Sequence, residues 1–550
     1  MNNKVLILGF DGAAMPLIEQ WTDAGELPYF AQIMKNGSWG LLRSTPNFGS
    51  ASAWPSFYTG LNPGRHNMFD FLYREVDTYN MRWTTKRRFA GNPFWKIASE
   101  QGIRSAIINM PVTYPAEPFD GIQVAGWMTP KTSSPGFTFP PQLAKEIVKS
   151  VGKHIFAPSV KAEINRGNYA GAVDSMRKTF EYKLALSAYL MDKYPVDLFS
   201  TAWIAADQAS HYFWHLIDPR HPKHDPEMAR KFGGAMLDVY KMADKAAQKL
   251  HRKFGGTLII MSDHGHGANP LGEPHLKSLL KQTGFLKMKG DENEHGSAFS
   301  RLVGKSFDAL QGILGRPVKR FLIANFPGLL NFALTHQNLA DVDWSRTSVY
   351  TVAEPTLNLQ GREPQGIVPP SQREPLLKQI EKILYSVKDT RTGEKAVEKI
   401  YRKEQVYHGE YLDNVPDLLI IWNPNIVVEN LELKFNGRRI ITEPHYNDYR
   451  TGNHRPNGIF FIQGDGVKPG FKSGAPGIID LCPTILHLCG CAIPDNLDGR
   501  FLDEFFTPEF MENNPPRYFA SSAEDSQMPD YSTPEEKEAA QKKLRDLGYL

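Results

Sequence analysis

Short, continuously apolar runs recur along this chain, separated by long amphipathic stretches. The runs are Val5–Phe10, Ser105–Asn109, Leu198–Ile204, Thr257–Met261, Leu418–Trp422 and Gly458–Ile462. A strand that is apolar at every position must be covered on both faces, as in a mostly parallel sheet. Lys178–Lys193, Met228–Phe254 and Arg373–Val387 carry apolar residues at three- and four-residue spacing and read as helices. Together these patterns predict an α/β fold, a doubly wound and mostly parallel sheet with helices on both faces.

The bulk properties exclude several classes. Charged residues make up 22% of the 550 residues, the formal net charge is +3, and no long basic run occurs, so no nucleic-acid surface is expected. No stretch of about 18 apolar residues exists, so no transmembrane span is expected. The first apolar run is too short for a signal peptide and leads straight into Asp11, which fits a strand and a cytoplasmic protein. Cys482, Cys489 and Cys491 fit no common zinc spacing, and their odd number argues against a disulfide framework. They read as small buried hydrophobes in a reducing compartment.

One large domain is expected over residues 1–507, with two insertions. Residues 69–138 are rich in proline and aromatics and read as irregular structure over a site, plus one strand. Residues 290–336 begin polar and become basic and amphipathic, with Arg301, Lys305, Arg316, Lys319 and Arg320 among apolar residues. They read as a helical cap, a lid or packing element, with a membrane-surface role as the alternative. Residues 508–550 read as a polar tail in which Thr533-Pro534-Glu535-Glu536 starts a short helix.

Five segments carry the chemistry, and three of them abut an apolar run. Asp207 and His211 are four residues apart, so on a helix both can reach one cation. Asp263-His264 follows Thr257–Met261, where Gly265 and Gly267 let the backbone bend sharply. Asp11 ends the first run, where a buried carboxylate needs compensation, by a cation or by capping a helix. Ser50 precedes a short helix expected over Trp54–Thr59 and ended by Gly60, so its hydroxyl faces a helix N-terminus suited to phosphate. Metal coordination would lower the hydroxyl pKa without a separate base. Ser44, Thr45 and Ser52 are local rivals. His454, in Gly452-Asn453-His454-Arg455, can complete a ligand set with Asp207 and His211. His66 is expected to end a loop beside the site, and His215 to lie behind it or in the core. Such ligands suit Zn²⁺ and also Mn²⁺.

In this order the motifs resemble the alkaline phosphatase superfamily, and within it the type I phosphodiesterase / nucleotide pyrophosphatase group. The resemblance rests on Leu8–Gly12, Ser50–Gly60 running into Asn62–His66, Asp207–His211, Ser262–Gly265, Gly452–His454, and Ile479–Leu486 with Asp498–Arg500. It spans most of residues 4–503. It implies two divalent metal ions. One would be held by Asp207, His211 and His454, and the other by Asp11, Asp263 and His264 with the Ser50 oxygen. It also implies that Ser50 is a nucleophile forming a covalent phosphoserine. The chain departs from the group in one respect. The usual Thr, with Pro-Asn starting two residues on, is replaced by Ser50, Ser52 and Ala53, so the phosphate-binding Asn is missing. Asn47 and Asn109 are candidates to replace it. The Pro-x-Arg context of sulfatases is also absent.

The expected activity is therefore a metal-dependent phosphohydrolase, most of all a phosphodiesterase, acting on a small phosphate ester. A phosphomutase or a phosphomonoesterase of the same superfamily is the alternative. A degenerate binding protein is a third reading, which predicts lost ligands. The substrate and the oligomeric state are not specified by these residues.

Overall fold

The computed structural model describes residues 4–289, 339, 341–444 and 450–521, apart from 76 and 85. Its centre is a nine-stranded sheet. The strand order is Phe471–Ser473, Ser38–Arg43, Asn457–Gln463, Thr257–Met261, Val5–Phe10, Leu198–Trp203, Ser105–Ile108, Gly121–Val124 and Thr138–Phe139. Val5–Phe10 pairs in parallel with Leu198–Trp203 on one side and with Thr257–Met261 on the other. Only Asn457–Gln463 and the edge strand Thr138–Phe139 run antiparallel to their neighbours.

Strand periodicity explains the layers on both faces. Leu6, Leu8 and Phe10 point into one core, against Ile18, Phe180, Phe213 and Leu250 of covering helices. Val5 and Ile7 point into the other, against Trp54, Phe57, Phe94 and Leu481. The long helices are Tyr169–Lys193 and Gly234–Phe254. The amphipathic stretch expected as one helix over Met228–Phe254 is two, broken at Gly233. Cys482, Cys489 and Cys491 are buried and unbridged.

Residues 69–138 are more regular than expected. They supply three strands of the central sheet, Ser105–Ile108, Gly121–Val124 and Thr138–Phe139, not one. Strands of two to four residues among prolines leave little periodicity to read. Leu418–Trp422 is a strand but lies outside the central sheet, paired antiparallel with Val397–Arg402. It belongs to a second lobe with its own core, in which Leu276, Val349, Leu377, Ile380, Leu418 and Leu431 pack together. The cap expected over 290–336 and the helix expected near Thr533 lie outside the described residues. No described helix is long and apolar enough to cross a membrane.

Candidate metal and phosphoryl-transfer site

The C-terminal edge of the parallel strands carries the site, as open α/β sheets favour. Asp11 follows Val5–Phe10, and its backbone N–H donates to the Trp203 carbonyl at the end of the next strand. Asp207 and His211 occupy the first two turns of Ala205–Ile217, the helix entered from Leu198–Trp203. Asp263 and His264 follow Thr257–Met261. Ser50 opens helix Ser50–Thr59, which starts four residues earlier than expected and closes at Gly60 in the left-handed conformation. His454 arrives on Gly452–Arg455, a short strand paired antiparallel with Gly265–Ala268. All seven residues singled out from the sequence are buried or nearly so, and they converge.

The histidines are oriented in one way. Nδ1 of His211 donates to the Gly452 carbonyl at 2.9 Å, and Nδ1 of His454 to the Phe48 carbonyl at 3.0 Å. Nδ1 of His264 donates to the Gly265 carbonyl at 3.1 Å. A carbonyl can only accept, so in each neutral ring Nδ1 bears the proton and Nε2 presents a lone pair. The Nε2 atoms of His211 and His454 are 3.1 Å apart, and lie 3.1 and 3.5 Å from Asp207 Oδ1. His264 Nε2 lies 3.1 Å from Ser50 Oγ, 3.4 Å from Asp263 Oδ2 and 3.7 Å from Asp11 Oδ1. The His264 and His454 rings stack at 3.6 Å, so the two groups adjoin.

This is a collection of acceptors. Asp11 Oδ1 and Asp263 Oδ2 are buried with no hydrogen-bond partner among the described residues. Asp11 does accept from Trp54 Nε1 through its other oxygen, at 3.1 Å. Burial pushes the Asp11 carboxyl well above its usual range, and the nearby Asp263 and Asp207 push it further. Burial also acts to raise Asp207, but His211 and then His454 more than offset it, leaving the group well below that range. Burial lowers His264 and His454, favouring neutral rings. Neutral imidazoles and carboxylates crowded out of water are the donor set of a transition-metal site. Asp207, His211, His266 and His454 form one group, and Asp11, Asp207 and His264 another, each with donor atoms within 4.8 Å of one another. Asp207 thus adjoins both. The residues fit divalent cations.

His266 was not among the residues the sequence reading selected. The signal was present: it is two residues beyond His264, and alternate residues of an extended segment share a face. The other histidines have supporting places. His66 accepts from the Met68 N–H and donates to Ser56 Oγ at 2.8 Å, bracing the Ser50 helix from behind. His215 bonds Thr451 Oγ1 at 3.1 Å, beside the strand that carries His454. Asn47 is already engaged: Oδ1 accepts from Thr45 and Ser52, and Nδ2 donates to the Phe69 carbonyl of a separate segment. Asn109 Nδ2 is buried with no partner among the described residues, at the end of Ser105–Ile108 and at φ 58°.

Fold and site together define a phosphohydrolase of the alkaline phosphatase superfamily. The chain belongs to the type I phosphodiesterase / nucleotide pyrophosphatase family, whose profile matches residues 5–435. It is a hydrolase of phosphate ester bonds, and its family is metal-dependent. Among solved structures, human ectonucleotide pyrophosphatase / phosphodiesterase 5 is 14% identical with a TM-score of 0.50, over 92% of this chain and 100% of that one. Phosphonoacetate hydrolase from Sinorhizobium meliloti 1021, in complex with phosphonoformate, is 11% identical with a TM-score of 0.50, over 89% of this chain and 95% of that one. At such identities these neighbours speak to the fold alone. No curated protein sequence matches the chain.

Proposed function

We propose that the chain is a two-metal phosphodiesterase that cleaves a small phosphate ester through a covalent phosphoserine at Ser50. Asp207, His211 and His454 would hold one divalent ion. Asp11, Asp263, His264 and the Ser50 oxygen would hold the other. Zn²⁺ suits the imidazole-rich donors, and Mn²⁺ the carboxylates. Bound there, the ions would lower the pKa of the Ser50 hydroxyl and offset charge on the phosphoryl oxygens.

The chain's own residues supply the rest. Ser50 Oγ forms the new bond to phosphorus as the ester oxygen departs, and water then cleaves the phosphoserine and restores the hydroxyl. The helical bonds begin with the Ser52 and Ala53 N–H groups on the Gly49 carbonyl, so the N–H groups of Ser50 and Ala51 at the helix start are the ones placed to meet a phosphate. Asn109, whose buried Nδ2 has no hydrogen-bond partner among the described residues, is the candidate to replace the missing family Asn. The Asn47 amide is taken up by the Phe69 carbonyl. The reading rests on one observation: buried acceptor atoms, several without hydrogen-bond partners among the described residues, converge around a hydroxyl 3.1 Å from an imidazole nitrogen.

The test is to assay the metal-loaded protein on bis-p-nitrophenyl phosphate and p-nitrophenyl phosphate, and to trap the modified serine by mass spectrometry. Ser50→Ala should lose about 10⁴-fold or more in turnover even at saturating metal. Retained activity in that variant would exclude Ser50 as nucleophile. The second lobe is a unit that could retain a leaving group, as a phosphomutase requires. Return of phosphate to the released alcohol, in place of transfer to water, would favour that alternative.

A further inference from the structure

We propose that His266 is a fourth protein ligand to the ion held by Asp207, His211 and His454, so that this site is closed by residues that take no part in bond making, while the fourth position of the other site is the reacting Ser50 oxygen itself. The inference rests on the two-ion reading above and adds a residue to it. His266 is buried, and its Nδ1 donates to the Gly12 carbonyl at 3.0 Å. That bond leaves the proton on Nδ1 and a lone pair on Nε2. Nε2 has no hydrogen-bond partner among the described residues and lies 3.5 Å from Asp207 Oδ1. The ring centre is 4.7 Å from that of His211 and 5.2 Å from that of His454.

The backbone makes room for this ring. Gly12 has φ 67°, and a Cβ there would meet His266 Cε1 at 2.7 Å and Nδ1 at 2.8 Å. The imidazole occupies the space a side chain at position 12 would need. A buried ring nitrogen with no partner is costly, and the other three donors of the same group supply the reason for its place. Four protein ligands make the closed type of zinc site, whereas three leave a position for water or substrate. The two sites would then differ in kind. Three imidazoles and one carboxylate favour Zn²⁺ over Mn²⁺, while two carboxylates, one imidazole and a hydroxyl discriminate less.

The test uses the full chain, stripped of metal and reloaded with Zn²⁺. His266→Asn keeps an amide able to donate to the Gly12 carbonyl but removes the ligand nitrogen. In a competition titration against a chromogenic chelator, the variant should bind one of its two ions about 100-fold or more weakly than the wild type. X-ray absorption at the zinc edge reads the wild type directly, independent of how the variant folds. It should count four imidazoles for two ions, falling to three in the variant. Three imidazoles in the wild type, or two unchanged affinities in a folded variant, would overturn the assignment. A wild type that binds no zinc would overturn the two-ion reading itself, and this inference with it.

Discussion

The molecule buries two clusters of charge, and they are built in opposite ways. In the second lobe, Asp417 receives Arg362 through both carboxylate oxygens, at 2.9 and 2.7 Å, and the Leu357 N–H as well. Arg362 also donates to Glu363 at 2.9 Å, and Arg373 and Lys403 stand within 4 Å of Asp417. Burial raises Asp417, but Arg362 more than offsets it and holds the group below its usual range. Anions and cations there satisfy one another. At the sheet edge, Asp11, Asp207 and Asp263 meet imidazole lone pairs, and Asp11 Oδ1 and Asp263 Oδ2 have no hydrogen-bond partner among the described residues. Two buried clusters of similar polarity thus have different purposes. The self-neutralised one pairs its own charges, and the acceptor-rich one has the donor set of the proposed cation sites.

Chelation should break the contrast most sharply. Removing divalent ions should abolish hydrolysis and lower Tm, because ligands that bind only the folded state stabilise it by about 4 kcal/mol at a thousandfold excess over Kd. Differential scanning fluorimetry with and without EDTA reads this; an unchanged Tm would count against tightly held ions. Next in size is Arg362→Met. It leaves Asp417 buried without its main partner and should cost about 3–5 kcal/mol. Denaturant unfolding should register that loss while the metal content of the folded fraction stays the same. If metal content fell too, the two clusters would not be independent.

A third, smaller effect concerns His66, a buried group satisfied by hydrogen bonds in its neutral form. Burial lowers its pKa from 6.5 to about 3. Below about pH 6.5 the unfolded chain takes up a proton that the folded chain refuses, so stability falls with pH until about pH 3. Between pH 7 and 4, Tm should therefore drop less steeply in His66→Gln than in the wild type, both measured in EDTA. Equal slopes would remove His66 as a source of acid lability. The smallest expected effect is at the surface. Arg177 pairs with Asp174 and Glu181 in the open on one helix, and Arg177→Ala should leave Tm unmoved within error.

What the sequence made legible follows from where each residue sits. Asp11, Asp207 and Asp263 each lie close behind a buried strand, and such strands announce themselves as unbroken apolar runs. The second lobe was hidden because Leu418–Trp422 looks the same whether it joins the large sheet or a separate pair. The strands among residues 69–138 were hidden by their shortness and by neighbouring prolines. The helix break at Gly233 has no signal beyond one glycine. His266 was overlooked because Gly265–Ala268 is a glycine-rich strand with no apolar pattern, so its alternation is visible only once its pairing with Gly452–Arg455 is known.

That pairing also fixes a schedule. Asp11 lies near the beginning of the chain, and His454 joins it only when Gly452–Arg455 docks beside Gly265–Ala268, after the whole second lobe has been made. A ribosome producing this protein in order would release the His454 strand late. Until then Ser50 and most of its neighbours would exist without a finished pocket. Assembly of the proposed centre is thereby tied to synthesis through Arg455, and products truncated before His454 should be unable to hold the full proposed complement of ions.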